Sequence, residues 1–345
     1  MPSDDDLKTG RQLRSVAQAV SVGTVLQKRY QLLERLGAGG MGEAWKAADR
    51  DRRVNGHPAE VVIKLLPESL RQNKDASEDI RKEYSRVWLL SHPSICKLFD
   101  MGEQEGIGCF QVMQYLPGIT LRRWLQTRQG VLLPELVLDI LQATAEALDC
   151  AHTAETPVVH RDIKPENIMF NPETRKVHVI DFGLAAEIRT THARYSRGHL
   201  PVEGTAAYMA PEQWHGRPLT AVSDQWALGI VAWELLTGFC PFQGSGMALG
   251  FAIINGSLTQ LPPELQRLQP VFDRVLQKEP DRRYSRCVDF VQTLRTAFAA
   301  DTAQQPPSPQ QKSQAPEQPQ VPSPPAGRTA SPATVVAPAE EDLAS

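Results

Sequence analysis

One stretch decides the fold of this chain, and it reads His160-Arg161-Asp162-Ile163-Lys164-Pro165-Glu166-Asn167. A second short motif, Asp181-Phe182-Gly183, follows it. Together they supply two aspartates and an amide at fixed spacing, and apolar runs typical of β-strands flank them. Either motif alone is weak, because Asp-Phe-Gly is usually a turn and His-Arg-Asp is usually surface. Both motifs, in this order and at this spacing, are hard to obtain by chance.

This set of side chains suits phosphoryl transfer from ATP. One carboxylate has to orient the attacking hydroxyl and take its proton, while other oxygen ligands hold Mg²⁺ against the phosphates. On these residues the chain resembles the protein kinase superfamily, with its H-R-D-x-x-x-x-N catalytic loop and its D-F-G metal site. The resemblance implies that Asp162 is the catalytic base. It also implies that Asn167 and Asp181 hold the metal, Mg²⁺ with Mn²⁺ as a second candidate.

Length and composition limit the other classes of function. The chain has 345 residues, 41% of them hydrophobic, and a formal net charge of −3, so nothing recommends a nucleic-acid partner. Its five cysteines are scattered, which argues against a disulfide framework or a zinc site and favours free thiols in a reducing cytosol. We find no signal peptide and no apolar run near the ~18–20 residues that span a bilayer. We therefore expect a cytoplasmic protein without a membrane span.

A glycine-rich segment follows the first strand-like run, which begins at Tyr30. The segment reads Gly37-Ala38-Gly39-Gly40-Met41-Gly42. Glycines let the backbone approach phosphates and offer N–H groups to them. The motif would also fit a dinucleotide fold, but residues 43–48 predict a second strand where that fold needs a helix. A further run over 61–66 carries Lys64 at its centre, where burial without a partner is costly.

The kinase resemblance gives Lys64 and Glu83 joint roles. It implies that Lys64 grips the α- and β-phosphates. Glu83 lies nine residues before His92-Pro93 on a helix predicted over 75–90. Kinases place at this point the glutamate that forms an ion pair with the strand lysine, and the pair would fix the lysine head near the phosphates. Without the resemblance, Glu83 would be taken for a surface glutamate.

The connector over 113–118 resembles the hinge between the two kinase lobes, whose backbone hydrogen-bonds adenine. Met113 would be the gatekeeper residue. The resemblance assigns these side chains to the ATP site together with the glycine-rich segment: Ala44, Val62, Met113, Tyr115, Leu116 and Met169. Gln114 stands where many kinases carry an acidic residue. We expect this difference to cost adenine binding little, because the hinge works through backbone groups.

Ala44 and Val62 depart from the kinase pattern. Kinases usually place valine and alanine, in that order, at the two positions that sandwich adenine. Here the two residue types are exchanged. We interpret the exchange as a volume swap, in which one wall of the site gains what the other loses, because changes that keep total volume are generally tolerated.

The sequence over 204–212, Gly-Thr-Ala-Ala-Tyr-Met-Ala-Pro-Glu, matches the substrate platform of kinases. Lys164 stands two residues after Asp162, and Thr205 could hydrogen-bond both. This combination resembles serine/threonine kinases rather than tyrosine kinases. It implies that Lys164 steadies the transferred phosphoryl group and that Thr205 belongs to the platform. A solvated loop lysine is the ordinary alternative for Lys164.

Two further matches are structural. Asp224, at the start of an apolar helical run, would cap the backbone of the catalytic loop, and Glu212 and Arg283 would form a buried ion pair. A long helical pattern over 133–152 would support the catalytic loop, although an ordinary buried helix would look the same.

The segment between the metal motif and the platform lacks threonine from 192 to 204, where related kinases are often phosphorylated. Thr190, Thr191 and Ser196 remain as candidates. Arg161, beside the catalytic aspartate, typically receives such a phosphate. We therefore predict phosphorylation at one of these three residues.

These observations predict an α+β, two-lobed protein kinase fold, with a small antiparallel β lobe that carries one helix and a larger helical lobe. The kinase domain is expected over 29–299, with the small lobe over about 29–115 and the large lobe over about 118–299. A flexible extension would precede it over 1–28, where a short amphipathic helix is the alternative. Residues 300–345 hold ten of the 27 prolines and no aromatic residue, so we expect a disordered tail.

The predicted activity is ATP-dependent transfer to serine and threonine hydroxyls of proteins, including the chain itself. The glycine-rich segment especially resembles bacterial eukaryotic-like (Hanks-type) kinases. A pseudokinase or scaffold is the alternative, but it predicts loss of one of four residues that are all present: Lys64, Asp162, Asn167 and Asp181. A small-molecule kinase would lack the platform. The tail is expected to be either an inert spacer or a docking segment for a partner. No motif reports the oligomeric state.

Overall fold

The structure is a computed structural model that describes residues 20–39, 42–67, 74–128, 132–182 and 206–302. Within these ranges the chain forms two lobes, one built on an antiparallel sheet and one built mainly from helices. The predicted α+β, two-lobed architecture is therefore confirmed. No helix in this part of the chain combines the length and apolar character that crossing a bilayer requires.

The small lobe is a six-stranded sheet in the order β1-β2-β3-β4-β6-β5, with every neighbouring pair antiparallel. Its strands are β1 (Val25–Leu26), β2 (Tyr30–Gly39), β3 (Gly42–Val54), β4 (His57–Leu65), β5 (Leu98–Gln104) and β6 (Gly108–Gln114). Side chains alternate between the two faces of a strand. On β4, Val61, Ile63 and Leu65 enter the core of the lobe, so Val62 and Lys64 face the opposite side.

The opposite face of the sheet is covered by helix α1 (Lys74–Trp88). Its apolar side chains Ile80 and Tyr84 pack with Leu66 and Cys109 of the sheet region. The predicted helix over 75–90 is confirmed within two residues at its end. Because α1 lies over the face that carries Lys64, Glu83 on this helix is also buried.

The small lobe begins earlier than the predicted boundary at residue 29. Leu26 of β1 is fully buried in the core of this lobe, and the half-buried Val20 packs against the same core. Residues 20–28 are thus part of the lobe and not of an extension. A two-residue strand has no measurable periodicity, so the sequence gives no signal for it.

The large lobe contains seven helices among the described residues: α2 (Leu121–Thr127), α3 (Pro134–His152), α4 (Pro211–Trp214), α5 (Ala221–Thr237), α6 (Gly246–Asn255), α7 (Gln269–Val275) and α8 (Cys287–Thr302). Helix α5 is apolar on nearly all sides and buried, as expected of a helix that runs through a core. Helix α3 starts with Pro134, whose missing N–H costs nothing in the first turn.

A second, three-stranded antiparallel sheet follows the connector from β6. It consists of β7 (Ile119–Thr120), β8 (Ile168–Phe170) and β9 (Val177–Val179), in that order. The catalytic loop precedes β8, and the Asp-Phe-Gly motif starts two residues after β9. The β8–β9 hairpin therefore brings the two motifs to one end of the sheet, where Ile180 N donates to Asn167 O at 3.0 Å.

Candidate active site

A cleft of about 390 Å³ lies between the two lobes. Its small-lobe wall includes Leu36, Gly37, Ala44, Val62 and Lys64, and its back includes Met113, Tyr115 and Leu116. Met169 and Asp181 come from the large lobe. The cleft thus lies where three parts of the chain meet that were predicted from the sequence to form one ATP site. It also includes Cys96, which no motif indicated; burial raises the pKa of this thiol to about 12.

Two glycines lie where the backbone passes too close to a neighbouring strand to admit a side chain. At Gly42, which has φ +102°, a Cβ atom would lie 1.8 Å from Leu65 O. At Gly118, which has φ +132°, it would lie 2.6 Å from Phe170 O. Gly42 lets β3 turn back beside the end of β4, and Gly118 lets the connector from β6 pass over β8. Both positions shape the cleft through backbone contacts.

The catalytic loop is anchored from below by Asp224. Its carboxylate accepts hydrogen bonds from the backbone N–H groups of His160 and Arg161, both at 2.7 Å, and contacts His152 Nε2 at 2.7 Å. Arg161 has φ +66°, a conformation that non-glycine residues rarely adopt. The two charge-assisted bonds compensate for that strain, which matches the capping role predicted for Asp224.

His160 lies inside the loop as a neutral ring. It is fully buried, and its Nδ1 accepts from Asp162 N at 3.3 Å while Nε2 lies 2.9 Å from Ile180 O. Because a carbonyl can only accept, Nε2 carries the proton. Burial lowers the pKa of this imidazole, which fits the uncharged form. The ring thereby connects the loop to the residue before Asp181.

Asp162, Lys164 and Asn167 meet at the floor of the site. Lys164 Nζ lies 3.2 Å from Asp162 Oδ2, and Asn167 Nδ2 donates to the same oxygen at 2.9 Å and to Asp162 O at 2.8 Å. These contacts orient the carboxylate of Asp162, which is 4% exposed. The structure therefore brings together the three catalytic-loop residues predicted from the sequence.

The residues present fit a divalent cation. The Asn167 amide nitrogen is used on Asp162, so its Oδ1 is the atom left for a metal. Asp181 lies at the same end of the β8–β9 hairpin and contributes a carboxylate. Magnesium prefers oxygen ligands of these two types.

The predicted ion pair of Lys64 with Glu83 is wrong for this structure. Lys64 Nζ contacts Asp181 Oδ2 at 2.6 Å, while Glu83 Oε2 accepts from Arg86 Nη1 at 3.1 Å. Both Lys64 and Glu83 are more than 90% buried, so each needs a counter-charge. Each finds one nearby: Asp181 for the lysine, and Arg86, one turn along α1, for the glutamate.

The predicted pair of Glu212 and Arg283 is confirmed. Two parallel bonds of 2.8 Å join the guanidinium to the carboxylate, and Ser223 Oγ donates to Glu212 Oε1 at 2.7 Å. Burial opposes ionisation of Glu212, but the bonds from Arg283 outweigh it and lower the pKa of the carboxyl. The pair fixes α4, at the end of the platform, to the lower part of the large lobe.

A second charged cluster was not predicted. Arg122 of α2 donates to Glu166 at 2.9 Å and to Glu234 at 2.6 Å, and it also contacts the hydroxyl of Tyr208, which itself donates to Glu234 at 2.6 Å. The cluster connects the catalytic loop, the platform and α5. Arg122 gives no sequence signal, because a charged residue on a short helix is usually a solvated one.

Several predicted residues lie outside the described ranges. They are Gly40 and Met41 of the glycine-rich segment, Thr205 of the platform, and the candidate phosphorylation sites Thr190, Thr191 and Ser196. The last turn of the platform is described, and Gln213 Nε2 on α4 donates to Arg161 O at 3.2 Å. This contact joins the platform helix to the catalytic loop.

The two-lobed fold, the cleft and the loop geometry define the class of protein kinases. The family model described as the protein kinase domain matches residues 30–298. The chain therefore belongs to this family, as its motifs predicted.

Named relatives agree with the family. The chain is 33% identical to the serine/threonine-protein kinase PrkC of Bacillus subtilis over 287 residues, which are 81% of this chain and 42% of that protein. It is 33% identical to the serine/threonine-protein kinase PknA of Mycobacterium tuberculosis over 320 residues, 91% of this chain and 68% of PknA. The chain thus spans less than half of PrkC. Its relatives place it among the serine/threonine-protein kinases.

A solved structure supports the fold. The crystal structure of the M. tuberculosis PknI kinase domain superimposes with a TM-score of 0.63 at 26% sequence identity. The superposition covers 81% of this chain and all of that domain.

Proposed function

We propose that this chain transfers the γ-phosphate of ATP to serine and threonine hydroxyls of proteins, and to its own hydroxyls. The observation that carries the proposal is the arrangement of Asp162, Lys164 and Asn167 at the floor of the inter-lobe cleft. In family terms this is a phosphotransferase. Its substrates, by the same reasoning, are proteins.

Asp162 orients the attacking hydroxyl and takes its proton. The carboxylate is held by Asn167 and Lys164, and its backbone is held through His160. Such positioning is most of what this reaction needs from a protein, because the transition state involves little covalent chemistry with the enzyme. Lys164 stays beside Asp162, where its positive charge offsets the negative charge that develops on the transferred phosphoryl group.

Lys64 supplies the second positive charge, from the upper wall of the cleft. Its ammonium has Asp181 as its partner in this structure, and phosphate oxygens would share it. The bound metal, Mg²⁺ or Mn²⁺, neutralises phosphate charge when present, and Asn167 and Asp181 would hold it. Ala44, Val62 and Met169 form apolar walls for the adenine ring, and the connector at Tyr115 and Leu116 offers backbone groups to its edge.

The test is transfer of labelled γ-phosphate from ATP by the purified chain, to itself and to a generic basic protein. We expect label on serine or threonine with the wild-type chain. Asp162→Asn should reduce the rate by at least about 10³-fold, because the base and its orientation are both lost. Nucleotide affinity, measured separately, should change little, since Asp162 acts on the hydroxyl.

A scaffold without catalysis is the competing function. It would explain a wild-type chain that binds nucleotide with the expected affinity and transfers no label under any activating condition. Mass spectrometry of the autophosphorylated chain also tests the three candidate loop sites Thr190, Thr191 and Ser196. Full activity with an unmodified loop would refute the proposed loop phosphorylation while leaving the enzyme assignment intact.

A further inference from the structure

Gln111 is a fully buried glutamine in the middle of strand β6 of the small-lobe sheet. It lies on β6, between β4 and β5, and neither its amide oxygen nor its amide nitrogen has a hydrogen-bond partner among the described residues. An unpaired buried amide is costly, whereas an apolar side chain of the same shape would cost nothing. The residue therefore calls for a physical reason beyond packing.

The position of Gln111 places it beside the phosphate-binding lysine. Gln111 and Lys64 are directly opposed in the antiparallel pairing of β6 with β4. Opposed residues project from the same face with Cβ atoms about 4.5–5.5 Å apart. The amide therefore shares with Lys64 the face that lies under helix α1.

Helix α1 covers the neighbours of Gln111 on that face. Tyr84 packs with Cys109, which lies two residues before Gln111 on β6. It also packs with Met101, the residue of β5 that is opposed to Gln111. Glu83, the preceding residue of the helix, is 6% exposed. Gln111 thus lies in the layer between the sheet and α1, to which Lys64 and Glu83 both belong.

We propose that Gln111 is a positioning residue that holds Lys64 and Glu83 together during phosphoryl transfer. A neutral amide can accept from an ammonium through Oε1 and donate to a carboxylate through Nε2 at the same time. Bridging the two charged groups would satisfy both amide atoms. The arrangement differs from the present conformation, in which Lys64 contacts Asp181 and Glu83 contacts Arg86.

In the rearranged conformation the buried groups would form hydrogen bonds that the present conformation lacks. Arg86 is 53% exposed at its side chain, so Glu83 exchanges a partly solvated partner for two buried ones. Lys64 keeps donors available, because an ammonium has three. The amide gains both of its bonds. The inference rests on the proposed function, since it assigns a role in the same site.

The test is Gln111→Met, which keeps length and removes both polar atoms. We expect kcat to fall about tenfold, as for loss of a hydrogen bond to a charged group, with KM for the protein substrate unchanged. The affinity for Mg·ADP should fall several-fold, because the Lys64 head is less well held. The melting temperature should not fall, since the amide has no bonds to lose in the present conformation.

Coupling to Glu83 separates positioning from a general effect. In a Glu83→Ala background, Gln111→Met should cost little more in kcat or in Mg·ADP affinity, because the carboxylate that the amide orients is gone. If the losses caused by Gln111→Met and Glu83→Ala are additive, the proposal is overturned.

Gln269→Met is the matched control. Gln269 is also a buried glutamine, but its amide is satisfied by Leu261 N at 2.8 Å and by Asp273 at 2.9 Å. This variant should lower the melting temperature and leave kcat unchanged, the opposite of Gln111→Met.

Three results would overturn the inference: unchanged kcat and Mg·ADP affinity in Gln111→Met, a parallel fall of kcat and melting temperature, or additivity with Glu83→Ala. A wild-type chain that binds Mg·ADP without transferring phosphate refutes the proposed function instead. In that case the double-mutant cycle of Gln111→Met and Glu83→Ala, measured on Mg·ADP affinity, still tests whether Gln111 positions Lys64.

Discussion

At the residue scale, the pair of Glu212 and Arg283 ties the substrate platform to the body of the large lobe. Its groups are about 95% buried or more, so removing one partner leaves an uncompensated charge. We expect Arg283→Met to lower the free energy of unfolding by about 3–5 kcal/mol in urea denaturation. Arg81→Met is the control, because its pair with Glu103 is exposed and worth at most about 1 kcal/mol. Equal losses in both variants would contradict this account.

The same pair predicts a pH dependence at acid pH. The folded-state pKa of Glu212 is lowered from its ordinary value of 4.5. Its contribution to stability is therefore complete above pH 4.5 and is lost as the pH falls from there toward the lowered pKa. Glu212→Gln should flatten this part of the curve of unfolding free energy against pH. An unchanged slope below pH 4.5 would refute the assignment.

Ala44 and Val62 line the same cleft, so the volume-swap hypothesis stays a prediction with a structural basis. Val62→Ala alone should raise the KM for ATP, because the adenine walls lose contact area. The double variant Ala44→Val/Val62→Ala should restore the KM, since the lost volume returns on the neighbouring strand. Steady-state kinetics of the four proteins measures this coupling, and additive effects would contradict it.

The positions of site residues could be predicted from the sequence wherever a motif has fixed spacing. Asp162, Asn167 and Asp224 follow that pattern, and their contacts agree with it. The partner of Lys64 could not be predicted, because Glu83 and Asp181 compete for one ammonium and spacing does not rank them. Arg122 was missed for another reason, since its partners come from three separate segments.

At the element scale, we expect the position of helix α1 to decide which carboxylate Lys64 meets. Arg86→Met removes the present partner of Glu83 and leaves a buried carboxylate, so the helix position that pairs Glu83 with Lys64 gains in population. We expect kcat to rise by about 1.4- to 2.3-fold, which corresponds to the roughly 0.2–0.5 kcal/mol of a helical i,i+3 pair. Arg81→Met, on the same helix, should leave kcat unchanged. A fall in kcat with Arg86→Met would mean that Arg86 supports the active arrangement.

Elements with a long periodic pattern were predictable, and short ones were not. The pattern over 133–152, opened by proline, gave α3 within one residue. By contrast, β1 spans two residues, and what places it in the small lobe is the burial of Leu26 rather than any repeat. The predicted end of α1 differs from the observed end by two residues, because helix ends lack fixed signals.

At the scale of the whole molecule, the cleft takes its walls from both lobes, so a bound nucleotide should stabilise the fold as a unit. Mg·ATP at about 100 times its dissociation constant should raise the free energy of unfolding by about 2.7 kcal/mol. For a domain of this size that is a rise of about 5–10 °C in melting temperature. Differential scanning calorimetry over a series of nucleotide concentrations measures the shift.

We expect the metal-dependent part of this shift to depend on Asn167 and Asp181, the proposed metal ligands. Adding a chelator, or the variant Asp181→Asn, should therefore remove most of the stabilisation by ATP, because the phosphates lose the cation that links them to the large lobe. Asp162→Asn should keep the shift, since Asp162 is proposed to meet the hydroxyl rather than the nucleotide. A shift that is equally large without metal, or one that Asp181→Asn leaves intact, would show that nucleotide binding does not use these two ligands. The metal would then have to be sought elsewhere in the cleft.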